Sequence, residues 1–324
     1  MGGRGKMEDD ERPFNCDIES YISDRIGFYQ NTTLNEQGRK LRHFGQIFGD
    51  LREEGKIGTE DPAKMGAPEI SAFLQYMRNK GIDVATQSKY VQILNNYLVF
   101  SDNMIISKMK GSRRFPSPSK KPIKSLSVDE VQRIFDTVQT MKGWAGAQAR
   151  GIVALAFETL ARPSEIRLAQ ARDLDLTRGR FFVRNPKGKG SYASGQWVDL
   201  IRPDVRPLLW QYVDEREIYL AARGMTSEYL FPNVRRPEGY FSSNAFRNKI
   251  GSISKLAEVD FSLKDFRSTG TNLFISVDKT LLNAISAQLR HSDIGTTQRF
   301  YADIQSGHVA DDLGDKWKKT AIHL

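Results

Sequence analysis

From about Asp17 onward, apolar residues recur at spacings of three and four, the period of helices with one buried face. Leu41, Phe44, Phe48 and Leu51 share one such face, and Ile70, Phe73, Leu74 and Met77 a second. Tyr90, Ile93, Leu94, Tyr97 and Leu98 form a third. Gly-Lys-Ile-Gly at 55–58, Asp61-Pro62 and Gly81 punctuate them with residues that turn the chain. The pattern predicts an all-helical unit over 15–107, preceded by a charged, glycine-rich flexible tail over 1–14. Over 108–125 the periodicity lapses. Pro116, Pro118 and Pro122 forbid a regular helix there and favour an extended, semi-rigid linker.

A second unit is expected over 126–324. Ser127 and Glu130 fit a capping box opening a helix that carries Val131, Ile134, Phe135 and Val138. An apolar helix runs from Ile152 to Leu160. Arg180–Arg184 and Gln196–Ile201 read as strands joined by the glycine-rich stretch 186–195. The fold class is therefore mainly α with a small β-hairpin or sheet, in two domains.

Charge changes this picture. Lys and Arg number 48 against 39 Asp and Glu, a net charge of +9 that favours a polyanionic partner, nucleic acid before membrane. The linker is purely basic, so Arg113, Arg114, Lys120 and Lys121 are expected to lie along DNA phosphates. Cys16 is the single cysteine, which excludes an intramolecular disulfide, and no Cys/His cluster has zinc spacing. No apolar run reaches the ~18 residues of a membrane span, and the start lacks a signal-peptide stretch. The expected compartment is cytoplasmic. Gly188 and Gly190 lack the spacing of a nucleotide-binding loop, and no cofactor or metal is expected.

Four patches in the second unit carry candidate chemistry. They are Thr159–Leu168 around Arg162-Pro-Ser-Glu165, the Lys187-Gly-Lys189-Gly loop, Leu263–Gly270 around Lys264-x-x-Arg267, and Leu289-Arg290-His291-Ser-Asp-Ile-x-Thr-Thr ending at Phe300-Tyr301. Singly, each reads as a helix cap, a solvated helix face or a packed aromatic. In this order they resemble the signature of the tyrosine recombinases, the phage-integrase and Xer-like family. Arg162 matches the family's first arginine, Lys187 or Lys189 its hairpin lysine, and Lys264-x-x-Arg267 its His/Lys-x-x-Arg box. The stretch from Leu289 is close to the segment leading to the nucleophile, and the first unit resembles the family's SAM-like core-binding domain. The likeness covers about 300 residues.

That resemblance implies a C-shaped clamp on double-stranded DNA, four protomers acting on paired sites through a Holliday junction, and a C-terminal oligomerisation tail bearing Val309, Leu313, Trp317 and Ile322. It also implies site-specific cleavage and rejoining through a 3′-phosphotyrosine, for integration, excision or resolution, with an accessory bending or directionality factor as a further partner. The residue types suit that chemistry. Arg162 and Arg267 present planar, permanently charged forks to a pentavalent phosphate. A hairpin lysine can protonate the leaving 5′-oxygen, Lys264 adds a positive donor, and His291 can bond the phosphate or handle the tyrosine's proton.

The pattern departs from the family twice. The usual nucleophile lies nine residues after the histidine, which is Phe300 here, with Tyr301 one further. Either Tyr301 is the nucleophile after a local shift that Gly295 absorbs, or Phe300 replaces it, by design or in a naturally inactive DNA-binding relative. A relaxing topoisomerase of type IB is a further alternative. Arg290 stands where glycine is usual, and is expected to alter the turn before His291 or to contact DNA.

Overall fold

In a computed structural model the chain divides into two compact units, Met1–Lys121 and Pro122–Leu324. The structure describes residues 12–109, 115–119, 123–184, 194–236, 239–290 and 295.

The first unit carries α1 (Ile18–Ser23), α2 (Asn31–Glu53), α3 (Ala67–Asn79), α4 (Val84–Phe100) and α5 (Ile105–Met109). Asp83 caps α4, accepting from the backbone N–H groups of Ala85 and Thr86 at 3.1 Å each. The three predicted stripes meet in an aromatic core, where Phe48 stacks on Phe73 and Phe14 at centroid distances of 5.1 Å. Phe14 corrects the expected tail over 1–14. It is fully buried, and its carbonyl accepts from the Tyr97 hydroxyl at 2.6 Å. One aromatic ahead of the first helix has no periodicity to announce it.

The second unit is built round α7 (Gly143–Thr159), which follows α6 (Val128–Thr140) and precedes the short α8 (Pro163–Arg167). The Ser127/Glu130 capping box forms as expected, at 2.8 and 3.2 Å. Next comes an antiparallel sheet of order β1 (Leu174–Asp175), β2 (Arg180–Val183), β3 (Gln196–Asp199). Phe181 pairs with both Leu174 and Val198, and with Val183 it points into the core. The hairpin was legible in two apolar runs either side of a glycine-rich stretch, but the two-residue β1 was not. Helices α9 (Arg206–Ala221), α10 (Ser243–Ala257), α11 (Leu263–Val277) and α12 (Leu282–Leu289) complete the described part. Among the described residues, no helix is long and apolar enough to cross a membrane, and no group of three or more His, Cys, Asp or Glu could hold a metal.

Every residue of α7 from Gly146 to Thr159 is buried, and small side chains let its neighbours approach closely. At Gly151 an added Cβ would lie 2.4 Å from the Tyr212 ring. That ring cannot retreat, because it is fully buried and its hydroxyl donates to the Leu230 carbonyl at 2.7 Å. Gly151→Ala is expected to cost about 1–3 kcal/mol from overpacking in urea unfolding. Gly251→Ala on α10, where an added Cβ meets nothing within 4 Å, should instead be neutral or stabilising.

Candidate active site

The site forms where α7 ends. Leu160, its C-cap, takes a left-handed conformation (φ 51°, ψ 28°) that turns its carbonyl out of the helix. Arg267, on the second turn of α11, donates one guanidinium nitrogen to that carbonyl and the other to the Leu289 carbonyl at 2.9 Å. The two helix ends thus turn partial negative charge toward one buried cation. Burial, with the Arg162 and Arg290 guanidiniums nearby, pushes the Arg267 pKa down to about 9, so it stays charged near neutrality. Gly270 permits this approach of α11 to α7: a Cβ there would lie 2.5 Å from Leu160 Cδ2.

Arg162 precedes α8, with Pro163 at the first helical position. Its backbone N–H donates to Glu165 Oε2 at 2.6 Å and its guanidinium to Glu165 Oε1 at 2.9 Å. Glu165 is 1% exposed while the Arg162 side chain is 23% exposed, so the arginine is held from behind and open in front. Arg290 approaches the same carboxylate from α12, donating to Oε2 at 2.5 Å. Expected among the DNA contacts, its side chain is 4% exposed and directed inward.

Arg162 and Arg267 line a cleft of about 610 Å³. Lys264, one turn before Arg267 on α11, is exposed at its edge. Arg167, Arg247, Ser164, Ser243 and Ser262 contribute further donors, and among the described residues no Asp or Glu lines the cleft. Arg167 is held by a 2.6 Å bond to the Phe241 carbonyl. The cleft therefore suits an anion with several oxygens.

Sequence reasoning missed a residue that braces the elements behind the site. Gln288 donates from Nε2 to the Asp199 carbonyl at 2.8 Å and the Thr159 carbonyl at 3.2 Å. Its Oε1 accepts from the Asp199 N–H at 3.3 Å, tying α12 to β3 and to the end of α7. An amide on a helix gives no sequence signal for such a role. Lys187, Lys189, His291 and Tyr301, with Arg113, Arg114, Lys120 and Lys121, lie outside the described residues.

The model of the phage integrase family matches residues 124–308, more than half of the chain. The chain belongs to that family. It is 26% identical over 248 residues to the tyrosine recombinase XerA of Thermococcus kodakarensis, covering 76% of this chain and 80% of that one. It is 25% identical over 205 residues to the tyrosine recombinase XerD of Oceanobacillus iheyensis, covering 63% and 65%. Among solved structures, the XerH site-specific recombinase in a post-cleavage complex with its difH substrate superposes with a TM-score of 0.67 at 16% identity, covering 93% of this chain and 84% of that one. A lambda integrase dimer bound to a core site gives 0.61 at 15% identity, with 87% and 75% covered. At these identities the structural likeness shows the fold, which is the expected mainly helical one with a small sheet.

Proposed function

We propose that this phage integrase family member is a site-specific recombinase that cleaves and rejoins double-stranded DNA through a 3′-phosphotyrosine. The observation that carries the reading is the cleft: two arginines held from behind by backbone carbonyls and a buried carboxylate, a lysine beside them, and no acidic residue among the described residues of the lining. Such a cleft stabilises the charge that grows on non-bridging phosphoryl oxygens in the transition state, because its donors are oriented before the reaction begins.

In this reading the Tyr301 oxygen attacks the phosphorus, the bond to the 5′-oxygen breaks, and Lys187 or Lys189 gives that oxygen its proton. Arg162 and Arg267 bond the non-bridging oxygens, Lys264 adds positive charge at the edge, and His291 takes the tyrosine's proton or bonds the phosphate. Rejoining is the reverse, with a new 5′-hydroxyl attacking the phosphotyrosine. One phosphoester is exchanged for another, so the bond energy is kept without a nucleotide.

Assembly on paired sites is part of the same reading. The lambda integrase has been seen as a tetramer on a Holliday junction, and its fold is shared at a TM-score of 0.61. We place the chain in the cytoplasm, with the basic linker on the phosphate backbone, its DNA affinity falling steeply with salt. The division into a first domain that includes Phe14 and ends at 107, a linker over 108–125 and a second domain over 126–324 belongs to this proposal too.

The test is a nicked suicide substrate and a nicked four-way junction, scored for a protein–DNA adduct on a denaturing gel. An adduct at the 3′-phosphate is expected. Tight, salt-sensitive binding without any adduct on the cognate site would leave a non-catalytic DNA-binding protein. Relaxation of supercoiled DNA without a specific site would indicate the topoisomerase alternative.

A further inference from the structure

Arg290 occupies a position that its backbone makes costly. It caps α12 at φ 55°, ψ 48°, in the left-handed region that glycine enters without strain and a long side chain does not. Its amide closes the last turn onto the Ser286 and Ala287 carbonyls, so the turn is well formed. What arginine adds over glycine there is a guanidinium, and that guanidinium is buried against Glu165 at 2.5 Å.

Glu165 is fully engaged. Oε2 accepts from Arg290 and from the Arg162 backbone, and Oε1 accepts from the Arg162 guanidinium at 2.9 Å. A buried carboxylate with one cationic partner would offset that partner's charge and compete for its donors. With two, the charge of one remains available. Arg162, Arg267 and Arg290 against Glu165 leave two positive charges over at the cleft.

We propose that Arg290 is a positioning residue for Arg162: it fixes Glu165 through Oε2, so that Oε1 orients the Arg162 fork, and it neutralises the carboxylate so that Arg162 stays free to bond a phosphoryl oxygen. The role rests on the recombinase reading above. The clamp itself rests on contacts present without DNA.

Two variants test it. Arg290→Gly keeps the left-handed turn and removes the guanidinium, and Arg290→Lys keeps a charge without the fork. In protein labelled with ¹⁵N-arginine, the Arg162 Nε–H signal, identified by its loss in Arg162→Lys, should report a rigid side chain. In Arg290→Gly its heteronuclear NOE should fall markedly, with Arg290→Lys between. Single-turnover cleavage of a nicked four-way junction at saturating protein should slow by about 10- to 100-fold in Arg290→Gly, the range expected of a misplaced catalytic fork. The dissociation constant should change less than about twofold. An unaltered Arg162 signal would overturn the proposal. So would weaker DNA binding with a full rate at saturation, which would make Arg290 a phosphate contact. If the unmodified protein forms no adduct, the recombinase reading falls, and the Arg162 signal alone decides the clamp.

Discussion

Tyr301→Phe is expected to bind DNA as tightly as the parent and to form no covalent adduct. The phenol is a poor nucleophile at its ordinary pKa of about 10, so its reactivity depends on cations that favour the phenolate and on a phosphate already polarised. In the proposed reaction Arg162, Arg267 and Lys264, which line the cleft, supply that polarisation. Without the hydroxyl they have a bound phosphate and nothing to attack it. Loss of a nucleophile in other enzymes costs on the order of 10⁶-fold, which here means no adduct above background. The comparison that fixes the register adds Phe300→Tyr to the Tyr301→Phe protein. A tyrosine moved by one position presents its hydroxyl elsewhere, so a tyrosine at 300 should not restore the adduct. Restoration there, with an inert parent, would show that 300 is the true nucleophile position. An adduct persisting in Tyr301→Phe would place the nucleophile elsewhere.

Arg267→Lys should slow single-turnover cleavage by about 10²–10³-fold while leaving DNA affinity nearly unchanged. Arginine reaches the Leu160 and Leu289 carbonyls with two nitrogens of one rigid plane, and the remaining edge is thereby aimed. An ammonium has neither the span nor the plane, and the loss of one oriented donor at developing charge is of this size. The defect should also depend on pH. The burial and the neighbouring guanidiniums that lower the arginine's pKa would lower that of a lysine too, from its ordinary value of about 10.4. Its cationic fraction then rises as pH falls. The ratio of variant to parent rate should climb as pH falls, the reverse of what loss of a phenolate would give. A ratio flat with pH would mean that lysine keeps its charge there, and that geometry alone carries the defect.

Much of this was legible in the chain. The stripes of α2, α3 and α4, the capping box of α6 and the hairpin strands are periodic or punctuated, and periodicity survives folding. The pairing of Arg162 with Arg267 was legible only through the order of four motifs. What escaped follows a physical rule. Leu160 and Arg290 adopt left-handed conformations that tertiary contacts impose on residues with no local preference for them. Phe14 is one aromatic captured by a core assembled from distant helices, and Gln288 is an amide whose partners lie 89 and 129 residues away. The substitution of Arg290 for glycine was visible in the sequence, but not that its side chain faces inward to Glu165.

For anyone diversifying this chain by random mutagenesis, α7 sets the terms. Its continuous buried stretch ends in the carbonyl that Arg267 grips, so lesions there strike abundance and turnover together and cannot be sorted by an activity screen alone. A library that holds 146–162 constant and varies exposed positions on the rim of the cleft, at Ser164, Ser243 and Arg247, would help to separate effects on the reaction from losses in yield.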